Sequence, residues 1–393
     1  MGNAAKPPDA ATAIRDWLID EAGFHAHFGL VVEGLCARLV AAGIPLARAT
    51  THIRVVHSER VGITRVWQRA KEPQEQYFGF GAEVDAMYER SPIRVAHQER
   101  RLVELRPEDP AAAEFGVTPD LVKAGITHYL MFPLYFTSGQ VNAASFATDR
   151  AGGFRPDEVA LIESLLPALA RVMEIKGLQR SRSELLRIYV GRLPTERILD
   201  GQIRRGDVVV MEAAILLCDL RRSTELAVEL DERAYVEMIN GYFDCVVPAV
   251  TAAGGEVLKF IGDGVLAIFE LPGDGSDCSH CSGALDVTKS IFEALYELNL
   301  RKAQPGGPLE IGIALHEGRV AFGNVGSVER QDFTVIGPDV NLVARLCALT
   351  GQLHEPLVVS ERFASRAPKA FREIGAFALK GFAEPQRVFA LTS

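Results

Sequence analysis

The chain has 393 residues, 48% hydrophobic and 24% charged, with a net charge of −9. That length implies two or three domains, and the acidic balance excludes a nucleic-acid binder that relies on a broad basic surface while leaving room for a local nucleotide site. No stretch reads as a membrane span, since the best one, "AGITHYLMFPLYFTSGQVNAASFATDR", breaks at Ser138-Gly139 into two strands and a turn.

In chain order, "MGNAAKPPDA" has no apolar signal core and carries Lys6 where a myristoylation site needs Ser or Thr, so residues 1–11 are expected to be a disordered tail. Residues 12–175 alternate helical and strand patterns. "FGLVVEGLCARLVAAG" predicts a helix ending at Gly43, "ATTHIRVVH" and "GITRVWQRA" predict strands, and "GITHYLMFPLY" with "NAASFATD" predicts a later strand pair. A long helix opens with Pro156 in its first turn and is expected to kink at Pro167. His25, His27, His52, His57, His97 and His128 are conceivable haem or metal ligands, though core or surface roles are the simpler reading. Trp67, Tyr77, Phe78, Tyr88 and Tyr129 could line a ligand pocket or only fill a core. The six cysteines (Cys36, Cys218, Cys245, Cys278, Cys281 and Cys347) are scattered, which fits a reducing cytoplasm. The Cys-x-x-Cys of "DCSHCS" lacks the second ligand pair a zinc site needs.

Residues 176–205 read as a charged helical linker with Leu185, Leu186, Ile188 and Val190 as its apolar positions, too short a pattern for a coiled coil. Residues 206–393 begin with "VVVMEAAILLCDL", a buried strand stopping at an acidic residue. "STELAVELDERAYVEMINGYFDCVVPAVTAAG" predicts a helix capped by Ser223 or Thr224. A hairpin "EVLKFIGDGVLAIFE", a helix around "SGALDVTKSIFEALYELNLRKA", two strands in "LEIGIALHEGRVAFGNVG", a helix "DVNLVARLCALTG" and a terminal strand pair in "FALKGFAEPQRVFAL" follow. The order β-α-β-β-α-β with additions predicts a ferredoxin-like α/β sandwich.

Two acidic residues stand out. Asp219 ends the first strand of this region, and Asp263 sits in the Gly-Asp-Gly turn of the hairpin; in the ferredoxin-like order those strands are neighbours. Converging carboxylates repel and call for a cation, and hard oxygen ligands suit Mg²⁺ or Mn²⁺ that keep positions for phosphate. "LRRSTE" after Asp219 enters a helix N-terminus, where phosphate is favoured. Taken singly, the two residues could equally be a helix cap and a turn residue. "DFTVIGPDVNLVARL" adds Gly337 before a helix that carries Asn341 and Arg345 four apart, an amide and a guanidinium on one face able to grip a sugar and a phosphate.

With those residues in view, residues 206–393 resemble the catalytic domain of class III adenylyl and guanylyl cyclases. The shared motifs are "LCDLRRST", "EVLKFIGDGVLAIF", "GIALHEGRVAFGNVGS", "DFTVIGPDVNLVARL" and "ALKGFAEP", in the family's order. The resemblance implies two metal ions (Mg²⁺ or Mn²⁺) per site on Asp219 and Asp263, purine reading by Lys259 and Thr334, ribose orientation by Asn341, stabilisation of the α-phosphate by Arg345, and contact with the terminal phosphates by Lys380. Thr224 would belong to the phosphate grip. A lysine donates only, which suits the unprotonated ring nitrogen of adenine, so ATP is expected over GTP. In this family the aspartates come from one catalytic domain and the lysine, threonine, asparagine and arginine from another. One chain carrying both sets implies a symmetric homodimer.

The family's Gly-Phe-Thr is Arg222-Ser223-Thr224 here, and a positive φ at position 222 would strain an arginine. "GGEVLKF" also resembles the GG(D/E)EF signature of diguanylate cyclases, but its continuation "IGDG" belongs to the class III pattern. Other readings are a guanylate cyclase and a catalytically silent nucleotide-binding module. Residues 12–175 resemble a GAF-type sensor domain, implying an unidentified small-molecule ligand that acts on the catalytic dimer through the linker.

Overall fold

A computed structural model describes residues 9–25, 27–271, 279–301 and 307–392. The chain divides into two compact units at residues 185 and 186. Cys278 and most of the expected N-terminal tail lie outside the described residues; Ala10 and Ala11, assigned to that tail from sequence, are instead the start of a helix.

The first unit opens with α1 (Ala10–Asp20), whose first turn is capped by Asp9 accepting from the Thr12 N–H at 2.7 Å. Next come α2 (Phe28–Ala41), β1 (Arg48–Arg54), β2 (Gly62–Gln68), β3 (Gln74–Phe78), α3 (Ala82–Glu89), α4 (Pro92–Gln98) and β4 (Val103–Leu105). It continues with α5 (Thr118–Lys123), β5 (His128–Tyr135), β6 (Val141–Thr148) and α6 (Pro156–Val190). Six antiparallel strands run in the order β3-β2-β1-β6-β5-β4. Alternation along β1 sends Ala49 and Ile53 into a core with Leu18, Leu35, Phe132, Leu169 and Met173. The other face packs Tyr129 and Met131 against Val95 and Leu121 of α4 and α5. Pro156 stands in the first turn of α6 as expected, and that helix runs unbroken through 176–190, which the sequence suggested as a separate linker.

The second unit comprises α7 (Arg192–Leu199), β7 (Val208–Leu220), α8 (Ser223–Glu229), α9 (Glu232–Ala252), β8 (Glu256–Ile261), β9 (Gly264–Glu270) and α10 (Ser279–Arg301). These are followed by β10 (Ile311–Gly326), β11 (Gln331–Ile336), α11 (Pro338–Leu353), β12 (Leu357–Ser360), α12 (Glu361–Ala364), β13 (Phe371–Phe377) and β14 (Gln386–Leu391). The sheet runs β13-β14-β12-β10-β7-β9-β8, with β11 added to β10. Its centre, β10-β7-β9-β8, is the antiparallel ferredoxin-like arrangement read from the sequence. One face buries Leu216, Phe269 and Ile313 under Tyr242, Val246 and Ile291 of α9 and α10. The opposite face buries Ile215, Val320 and Phe322 under Leu342, Val343 and Leu346 of α11.

Three local expectations are corrected. The helix after β7 is two helices, because Asp231 caps a new one by accepting from the Ala234 N–H at 2.9 Å; Arg222, not Ser223 or Thr224, takes the N-cap position of α8. "IGIALHEGRVAFGNVG" is one strand, since β7 pairs with it continuously from Ile311 to Gly323. The start of β7 is not buried: Val208, Val209 and Val210 are exposed.

Candidate active site

Antiparallel pairing of β7 with β9 sets Cys218 opposite Val265 and so brings Asp219, the next residue, beside the β8–β9 turn that carries Asp263. The turn needs its glycines. Gly262 has φ +65°, and a Cβ on Gly264 would lie 3.2 Å from the Ile261 carbonyl and 3.4 Å from Asp219 Oδ1. Burial, reinforced by the facing charge of Asp263, raises the Asp219 carboxyl to about 6. Asp263 Oδ2 is buried with no hydrogen-bond partner. Beneath the pair, the fully buried Tyr242 donates its hydroxyl to Cys218 Sγ at 3.3 Å, and burial pushes the Cys218 thiol up to about 12, so neither is a nucleophile. Two mutually repelling carboxylates with an orphaned oxygen over an apolar floor fit divalent cations. Among the described residues, no group of three or more His, Cys, Asp or Glu is placed to hold a metal ion.

The loop after Asp219 turns through Arg222 at φ +59°, ψ +19°, the left-handed region where the sequence anticipated strain. Arg222 Nε donates to Glu225 Oε2 at 2.7 Å, so its guanidinium is engaged within α8. Thr224 is exposed in the first turn of that helix.

Lys259 and Thr334 form a second locus. Lys259 Nζ donates to Asp332 Oδ2 at 2.6 Å, across from β8 to β11. Asp332 and Thr334, two apart on β11, share a face, and Thr334 is buried with its hydroxyl unpartnered. Asp332 escaped the sequence reading; the only signal was its spacing of two from Thr334 on a strand. Asn341 and Arg345 stand one turn apart, both exposed on α11, and Lys380 is exposed between β13 and β14. A cleft of about 440 Å³ lies beside α11, lined by Leu342, Leu346, His316, Ser360 and Gln386 among others.

Three of the histidines considered as ligands, His52, His97 and His128, have ordinary partners. His52 lies 2.7 Å from Thr64 Oγ1 and 2.8 Å from Thr50 Oγ1, His97 Nδ1 lies 3.3 Å from the Tyr88 hydroxyl, and His128 Nε2 lies 2.8 Å from Glu104.

Residues 209–392 match the family described as the adenylate and guanylate cyclase catalytic domain. An adenylate cyclase of Anabaena cylindrica is 30% identical over 160 residues, which are 40% of this chain and 31% of that protein; the chain thus spans about a third of the length of the curated relatives it matches. Among solved structures, the adenylyl cyclase CyaB from P. aeruginosa is 25% identical, over 48% of this chain and 96% of that one, with a TM-score of 0.43. The guanylyl cyclase Cya2 is 26% identical over 47% and 93%, with a TM-score of 0.41. The second unit of this chain therefore belongs to the adenylate and guanylate cyclase catalytic-domain family.

Proposed function

We propose that the chain is an adenylate cyclase, converting ATP to 3′,5′-cyclic AMP and pyrophosphate at the interface of a homodimer. The observation that carries the reading is the convergence of Asp219 and Asp263 around a buried, unpartnered carboxylate oxygen. Divalent cations held there (Mg²⁺ or Mn²⁺, two per site) would ease deprotonation of the ribose 3′-hydroxyl and neutralise the phosphates. The chain's own groups do the rest. Asn341 orients the ribose, Arg345 balances charge developing on the α-phosphate, and Lys380 with the α8 N-terminus around Thr224 steadies the departing pyrophosphate.

Base choice follows from hydrogen-bond polarity. Lys259, steadied by Asp332, donates to the unprotonated adenine ring nitrogen, and the unsatisfied Thr334 hydroxyl accepts from the exocyclic amine. Guanine presents a protonated ring nitrogen to that lysine. The first unit is read as a GAF-like regulatory domain, supported by its antiparallel sheet covered on both faces; mass analysis of molecules that co-purify with the full chain tests whether it holds a ligand. The catalytic reading is tested by incubating the purified protein with Mn²⁺ and either ATP or GTP. Cyclic AMP as the main product supports it, cyclic GMP would make the enzyme a guanylate cyclase, and binding without turnover would make it a silent nucleotide-binding module.

A further inference from the structure

α11 carries Asn341 and Arg345, yet its first turn is weakly held from within. Gly337 occupies the N-cap and has no side chain to cap with, and the first helical bond, from the Asn341 N–H to the Gly337 carbonyl, is long at 3.4 Å. The turn is fastened from outside. Asp339, in that turn, accepts the Arg319 N–H of β10 on Oδ2 at 2.7 Å, and its approach depends on Gly318, where a Cβ would lie 2.5 Å from the carboxyl group. The other oxygen, Oδ1, faces His316 Nε2 at 3.2 Å, off the ideal hydrogen-bonding direction.

His316 is itself tightly set. It is 4% exposed on β10, and its Nδ1 lies 2.7 Å from Ser360 Oγ. Ser360 Oγ also accepts the Phe363 N–H at 3.2 Å as the cap of α12. Because a carboxylate only accepts, Asp339 Oδ1 facing Nε2 favours the tautomer with its proton on Nε2, and the Ser360 hydroxyl then donates to Nδ1. Burial holds the imidazole below its usual range against the opposing pull of Asp339, so it stays neutral near pH 7. Ser360, His316 and Asp339 thus form a chain from β12 through β10 to the start of α11, buried at Ser360 and His316 and half-buried at Asp339.

We propose that His316 is a positioning residue for the reaction: anchored by Ser360, it fixes Asp339 and with it the first turn of α11, setting where Asn341 and Arg345 meet the nucleotide. This rests on the cyclase reading above. A displacement of these two side chains weakens transition-state contacts more than ground-state binding.

The test compares kcat and KM for Mn-ATP across variants of the full chain whose melting curves establish folding. His316→Ala should lower kcat roughly tenfold to a hundredfold with KM within about twofold. His316→Gln, whose amide reaches the place of Nε2, should recover most of kcat, whereas His316→Asn, which mimics Nδ1 only, should not. Should H316A fail to fold, Ser360→Ala probes the same chain and should lower kcat with KM retained. An unchanged kcat in H316A, or equal rescue by Gln and Asn, overturns the assignment alone. A parent protein that turns over no nucleotide overturns the cyclase reading and the assignment with it.

Discussion

At residue scale, Asp219 and Asp263 are held together against their own repulsion, and stability and activity should therefore diverge on mutation. Asp263→Asn removes one charge from the pair. It should cut cyclase turnover by at least roughly a hundredfold while leaving the metal-free melting temperature equal to or above that of the parent; parallel assays and thermal unfolding without metal check both. Arg222 makes the opposite case. A non-glycine residue at φ +59° costs about 1 kcal/mol, and its exposed pair with Glu225 returns little. Arg222→Gly should stabilise the protein by about 0.5–1 kcal/mol, measured by denaturant unfolding. The aspartates and the positive φ were legible in the sequence because motif and turn chemistry fix them locally. Asp332 was not, because its role depends on β8 and β11 meeting across 73 residues.

At the scale of elements, the apolar text gave strand and helix type well and boundaries less well. Asp231 split one anticipated helix by capping a second, and continuous pairing with β7 merged two anticipated strands into β10. β3 went unread because "QEQYF" carries mostly polar or exposed residues and pairs only as an edge. β10 also holds a buried acid that composition could not flag. Glu317, 1% exposed, meets Arg366 at 2.5 Å and Arg362 at 3.3 Å. The Arg366 hydrogen bond, assisted by both positive charges, holds its carboxyl below the ordinary range of 4.5. A depressed folded-state pKa contributes stability above the unfolded value, and that contribution fades as pH falls through the folded value. Glu317→Gln should cost about 2 kcal/mol at pH 7, and the difference from the parent should shrink as pH drops below about 4.5, as unfolding titrations across pH 3–7 would reveal.

For the whole molecule, the sequence predicts an N-terminal domain over 12–175, a linker over 176–205 and a C-terminal domain over 206–393, and the structure divides the chain into two units at residues 185 and 186. The division falls inside α6, within the 176–205 stretch read as a linker; the shift from apolar to charged residues after Ile175 marks a change of surroundings along one continuous helix and not a break in it. α6 leaves Ile175, Leu178, Ile188 and Tyr189 exposed. One subunit supplying the carboxylates and its twin the base- and phosphate-reading groups is the central claim, and it has a direct test by complementation. Asp219→Asn and Asn341→Ala proteins, each inactive alone, are mixed in equal amounts under conditions that exchange subunits. If the sites are shared, half of the dimers pair the two variants and each has one intact site, so activity returns to about a quarter of the parent's. A mixture no more active than its components would contradict the account.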